Sequence, residues 1–100
     1  MEITDVRVFP VTNEERLKAY ATITIDHVFL IRDLRVISGN AGLFAAMPSR
    51  KMKDGTFKDI AHPLNSATRE MIEGKVLAEY ARELANPTTR ELAPKDHEPG

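Results

Sequence analysis

Cysteine and tryptophan are both absent from this chain of 100 residues. Lacking cysteine, it has no disulfides, no thiolate nucleophile and none of the common cysteine-based zinc sites, and it fits a reducing compartment. Lacking tryptophan, and with only two Tyr and four Phe, it must assemble its core from Val, Ile, Leu, Met and Ala. A chain of this length buries roughly two thirds of its unfolded surface at best. The core is therefore thin, and a dimer interface would help to complete it. No run approaches the ~20 apolar residues that span a bilayer. The opening Met-Glu-Ile-Thr-Asp has neither the basic start nor the apolar stretch of a signal peptide. The expectation is one cytoplasmic domain with no membrane association. A global charge is missing as well: 14 basic and 15 acidic residues leave a formal −1. That excludes a strongly basic nucleic-acid binder and leaves only a local patch for electrostatic recognition.

What is present is patterning. Residues 2–10 alternate, with Thr4, Val6 and Val8 on one side and Asp5, Arg7 and Phe9 on the other, up to Pro10; that period predicts a strand. Thr12 to Arg16 reads as a polar turn. The alternation resumes with Leu17, Ala19, Ala21, Ile23 and Ile25 against Lys18, Tyr20, Thr22, Thr24 and Asp26. This is the signature of an antiparallel strand with one wet face and one face under a helix. Val28-Phe29-Leu30-Ile31 is apolar on both faces, Arg32-Asp33 interrupts, and Leu34 to Ile37 continues, which predicts a strand central to the sheet or to a dimer interface. Ser38 to Gly42 is a turn, and Leu43 to Met47 a short strand stopped by Pro48. A basic loop, Ser49 to Gly55, ends in the hairpin signal Asp54-Gly55, and Thr56 to Ala61 reads as another short strand. Asn65 or Ser66 caps a helix running from Ala67 to about Ala85. Its apolar arc is Met71, Ile72, Val76, Leu77, Tyr80, Ala81 and Leu84; Lys75, Glu79, Arg82 and Glu83 take the opposite side, with Lys75 and Glu79 placed to pair at i,i+4. The fold class is α+β: an antiparallel sheet of about four to five strands followed by one long C-terminal helix. Residues 1–85 form the domain, and 86–100, rich in proline and charge, read as a disordered tail.

Little of this suggests catalysis. Asp26-His27 and Asp59-x-x-His62 are the local His–acid pairs, neither with ligand spacing for a metal, and His97 lies in the tail. Both pairs are better explained as hydrogen-bonding groups at strand ends. Ser49 and Ser66 lack a nucleophile elbow, and the Gly39–Gly42 turn leads into a strand where a phosphate loop would lead into a helix. The basic loop carries more. Residues 1–85 hold 12 basic and 12 acidic side chains, yet Arg50, Lys51, Lys53 and Lys58 are offset in their segment by Asp54 alone. Cations on a hairpin can straddle phosphates, arginine in bidentate fashion.

The middle of the chain resembles the SpoVG family (stage V sporulation protein G, also called a septation regulator). The residues that carry the likeness are Asp26-His27-x-Phe29 and Asp33-Leu34-Arg35-Val36-Ile37-x-Gly39-Asn40. They continue as Gly42-Leu43-Phe44-x-Ala46-Met47-Pro48-Ser49-Arg50-Lys51 and Asp54-Gly55-x-Phe57-x-Asp59-Ile60-Ala61-His62-Pro63-x-Asn65. Glu2 to Arg7 and Val76 to Tyr80 also fit, so the resemblance spans roughly residues 1–84. Ser38 departs from it, standing where many members have an acid, and the tail has no counterpart. The resemblance implies a small α+β homodimer, a bacterial regulator that binds DNA, and for some members RNA, without cofactor, metal or catalysis. It also implies a role in gene expression, septation or sporulation. It places the binding residues at Arg50-Lys51, with Arg69 and Lys75 on the helix as a second possibility; Lys53 is added on charge alone. No small-molecule substrate is expected. The alternative reading is a protein-interaction module of the division machinery, using the exposed sheet face or the helix. A hydrolase centred on His62, Asp59 and Asp26 is a distant third.

Overall fold

A computed structural model describes residues 1–12 and 14–87; the expected tail falls, from residue 88 onward, outside the described residues. The elements run β1 (Ile3–Pro10), β2 (Leu17–Ile25), β3 (Phe29–Gly39), β4 (Gly42–Ala46), β5 (Ser49–Lys51), β6 (Phe57–Asp59) and α1 (Ser66–Ala85). Strands β1-β2-β3-β4 form one antiparallel sheet in sequence order, and β5 and β6 pair as a separate two-stranded ribbon. This is the expected α+β arrangement. The predicted basic loop differs, because its first residues form β5. A strand of three residues with two charged side chains has no periodicity from which to read it.

The alternation in β2 places the core. Ala19, Ala21 and Ile23 are buried on the helix side, joined by Ile3, Val8, Leu34, Val36, Ala45 and Met47 from the flanking chain. Ile72, Val76 and Tyr80 of α1 close over them. The alanines at the sheet centre leave room for the helix to sit close, and it packs chiefly on β1 and on the edge strand β4. A register shift between Ile3 and Asp5 puts Ile3, opposite Ile25, on the same face as Val6, opposite Ile23. That bulge takes Thr4 out of the alternation in which it is expected. Its hydroxyl instead accepts from the His27 backbone N–H at 3.0 Å. Asp26 and His27, the centre of the β2–β3 turn, have φ of 52° and 62°, as a type I′ turn demands. Neither is glycine, so the turn is held from outside. The Asp26 carboxylate accepts from Glu2 N at 2.9 Å, and Asp26 N donates to Glu2 O at 2.9 Å.

β3 is central, as expected, but its covering is partial. Residues 35–39 pair with β4, whereas Phe29–Leu34 pairs with β2 alone. Leu34 and Val36 are buried, while Val28, Phe29 and Leu30 stand at 83%, 61% and 50% exposure. Between these halves Arg32 and Asp33 bulge opposite Thr22, Asp33 with φ of 70°. Among the described residues the Arg32 Nε is buried without a hydrogen-bond partner.

Asn65, not Ser66, caps the helix, its Oδ1 accepting from Thr68 N at 2.8 Å. Two expectations for α1 are corrected. Glu79 accepts from Arg82 at 2.7 and 2.9 Å, so it does not pair with Lys75. Glu83 is buried and Leu84 is 58% exposed, the reverse of their assigned sides. Position 83 lies in line with Val76 and Tyr80 along the covered stripe, and Arg82 Nη2 reaches the Glu83 carboxylate at 2.7 Å. No helix among the described residues is long and apolar enough to cross a membrane.

Candidate nucleic-acid interface

The β5–β6 ribbon is shaped by its turn. Gly55 N donates to Met52 O at 3.0 Å and Met52 N to Thr56 O at 2.7 Å, with Gly55 at φ 92°. This is a type I turn closed by a left-handed residue, which explains the Asp54-Gly55 pair. The Asp54 carboxylate accepts from Thr56 Oγ1 at 2.6 Å and Thr56 N at 3.0 Å. The hydroxyl bond first, and then the amide bond, hold its pKa below the ordinary carboxylate value. The one acid within the cationic segment is thus spent on the turn itself.

Pairing decides which cations meet. Arg50 lies opposite Lys58, Lys51 opposite Phe57, and Ser49 opposite Asp59. Directly opposed side chains share a face of the ribbon, and like charges so placed repel. Arg50, Lys51, Lys53 and Lys58 are all exposed. The ion pairs of the described residues are Arg7–Asp5, Arg82–Glu79 and Arg82–Glu83, so among those residues none neutralises a ribbon cation. The base of the ribbon is fixed to the main sheet. Arg35 Nη2 donates to Met47 O at 3.2 Å and to Ser49 Oγ at 3.0 Å, and Ile60 N donates to Pro48 O at 2.7 Å. The result is a short, charged, two-stranded ribbon clamped at one end and exposed to solvent along the rest.

The other expected site residues lie elsewhere. Arg69 and Lys75 are exposed on α1, but six residues on a helix of roughly 3.6 per turn set them about 120° apart around the axis. They do not form one patch. Lys75 has no ion-pair partner among the described residues. Two residues were under-weighted in the sequence. Lys58 was counted in the charge cluster, but its position opposite Arg50 is a matter of register. Phe57 entered only as part of a motif, yet it is 65% exposed beside the cations; an aromatic within a basic run is the signal that would have found it.

Asp26 and His62 each make a local structural contact. Asp26 is tied to β1, and the His62 Nδ1 lies 3.0 Å from Pro63 O. His62 and Asp59 line one open depression with Phe57 and Lys58. Among the described residues no group of three His, Asp or Glu is placed to hold a metal ion.

The family model SpoVG matches residues 1–82. The chain is 74% identical over 84 residues to a protein of Anaeromyxobacter sp. (strain K), covering 84% of this chain and 82% of that one. Identity to a protein of Myxococcus xanthus is 66% over 84 residues, with 84% of each chain covered. With a protein of Brevibacillus brevis it is 57% over 82 residues, covering 82% of this chain and 86% of that one. All three carry the name "Putative septation protein SpoVG". A family match over the whole sheet, ribbon and most of the helix settles the kinship: this chain belongs to the SpoVG family.

Proposed function

We propose that the β5–β6 ribbon binds nucleic-acid phosphates and that the chain is a non-enzymatic, cytoplasmic regulator acting in septation, gene expression or sporulation. The observation that carries this reading is Arg50 facing Lys58 across the ribbon with no acid among the described residues to neutralise either. Such an opposed pair is a cost to the free protein. A phosphate set between the two side chains removes the repulsion and forms charge-assisted hydrogen bonds, bidentate from Arg50. Lys51 and Lys53 extend the same charge along the strand and turn. The septation role rests on the names of the relatives.

The chain acts as a homodimer in this proposal, so the ribbon occurs twice. Three features of β3 support a partner there: the strand edge from Phe29 to Leu34 pairs on one side alone, Val28, Phe29 and Leu30 are exposed, and the buried Arg32 Nε has no acceptor. About six phosphate contacts per dimer give a log–log salt slope near about −5.

The test is a gel shift with duplex DNA and with RNA, at two salt concentrations, on the Arg50→Ala, Lys51→Ala double variant. Binding should be abolished while circular dichroism and dimer mass stay those of the wild type. Binding that survives the double change and ignores salt overturns the site. The exposed apolar surface of Val28 to Leu30 also favours a second reading, a protein-interaction module of the division machinery. A protein partner retained in a pull-down after nuclease treatment, with the ribbon variant neutral, selects that reading.

A further inference from the structure

The cations explain attraction to a polyanion but not the aromatic among them. Phe57 is 65% exposed and lies directly opposite Lys51 on the ribbon. An aromatic ring of that exposure contributes nothing to this core, and it shares an open depression with Lys58, Asp59 and His62. His62 is fixed within it. Pro63 O can only accept, so the Nδ1 at 3.0 Å is the donor of that contact. The Asp59 carboxylate has no hydrogen-bond or ion-pair partner among the described residues. Phe57 and Asp59, two apart in β6, share one face of the ribbon with Lys51, and all three are exposed.

We propose that this depression is a subsite for an unpaired base, stacked on the Phe57 ring, and that the ligand of the ribbon is single-stranded or locally unpaired nucleic acid. The inference rests on the ribbon being a phosphate-binding element and adds the class of nucleic acid it prefers. Inside a duplex a base has no free face, and a phenyl ring meets only base edges and sugars. In a single strand the face is available, and the phosphate beside it falls to Lys58 or Lys51. The Asp59 carboxylate accepts, so the subsite favours bases with an exocyclic amine, cytosine, adenine and guanine, over thymine or uracil.

Fluorescence anisotropy with labelled 12-mers tests this. The probes are mixed-sequence single-stranded DNA, the same sequence as RNA, its blunt DNA duplex, oligo(dC) and oligo(dT). Phe57→Ala should weaken both single strands by about five- to a hundredfold and the duplex by less than about twofold, with Phe57→Trp restoring affinity and Phe57→Leu failing to. The oligo(dC) probe should bind more tightly than oligo(dT), and Asp59→Ala should remove the difference. Comparison of the DNA and RNA strands identifies which source is preferred. The proposal is overturned if Phe57→Ala leaves single-strand affinity unchanged, if it weakens duplex and single strand equally, or if Phe57→Leu restores as well as Phe57→Trp. Oligo(dT) bound as tightly as oligo(dC) removes Asp59 from the subsite. The Arg50→Ala, Lys51→Ala variant, run beside these, reports on the phosphate reading separately, since its loss must touch every probe.

Discussion

Replacing Arg35 with alanine should loosen the ribbon without touching its charge. Arg35 stands in β3 and reaches out of the main sheet, with Nη2 donating to Met47 O at 3.2 Å and Ser49 Oγ at 3.0 Å. Met47 is 5% exposed, so its carbonyl is left in a poorly hydrated place once the guanidinium is gone. A hydrogen bond to a charged group contributes about 1.5–3 kcal/mol, and an orphaned buried acceptor costs about 1–3 kcal/mol. Both bonds come from one nitrogen in a half-buried setting, and water replaces part of the loss at Ser49. We therefore set the total at about 2 kcal/mol. For a domain of this size that lowers Tm by about 8 to 16 °C. Urea and calorimetric melts read the global effect, and amide exchange reads the local one. Exchange should accelerate most at Ile60 and Met52, whose amides bond within the ribbon and its base, while Val8, Ala21 and Leu34 in the core lose no more protection than the global loss of about 2 kcal/mol accounts for. Arg35→Lys should recover little, because the lysine side chain is one bond shorter and its ammonium does not reach the place that Nη2 takes between Met47 O and Ser49 Oγ. An Arg35→Ala variant within about 0.5 kcal/mol of the wild type, with unchanged exchange at Ile60, would refute the idea that this side chain clamps the ribbon.

Two further outcomes follow from the geometry. Asp54, with its pKa depressed by Thr56, stabilises the turn fully above the ordinary carboxylate value of 3.8 and loses that contribution as pH falls through its own lower midpoint. An NMR titration should find the Thr56 amide shift moving with a midpoint below 3.8; a midpoint at or above it shows the hydrogen bonds to be absent in solution. Leu30→Asp, at a residue half exposed beside the unpaired length of β3, should convert the proposed dimer to a folded monomer in sedimentation equilibrium. A variant that remains dimeric moves the interface elsewhere.

The parts legible in the sequence are those fixed by local chemistry. The alternation of Leu17 to Ile25 named the buried face of β2 because that face lies under one continuous helix. Asp54-Gly55 marked its turn because only a residue without Cβ takes that backbone cheaply. Asn65 marked the helix start because its side chain accepts from Thr68 N. What sequence could not supply were relations across distance. That Arg50 opposes Lys58, and Lys51 opposes Phe57, depends on a register set by the turn. That Arg35 holds the ribbon depends on a fold that brings β3 beside Ser49. Glu83 was placed on the wet side by its charge, although its spacing from Val76 and Tyr80 had the stronger claim. The apolar Val28 to Leu30 was read as covered on both faces, and the single protomer leaves it open.

Ala45 sits on β4, the terminal strand of the sheet, and its N–H turns away from β3 to a carboxylate oxygen of Glu73 at 2.9 Å. A free amide at that position would be a docking point for any extended foreign peptide, since unpaired strand borders template further pairing. By occupying it with a helix-borne acid, the protein denies growth along this border. Strand recruitment, whether wanted or pathological, is thereby channelled to other borders of the sheet.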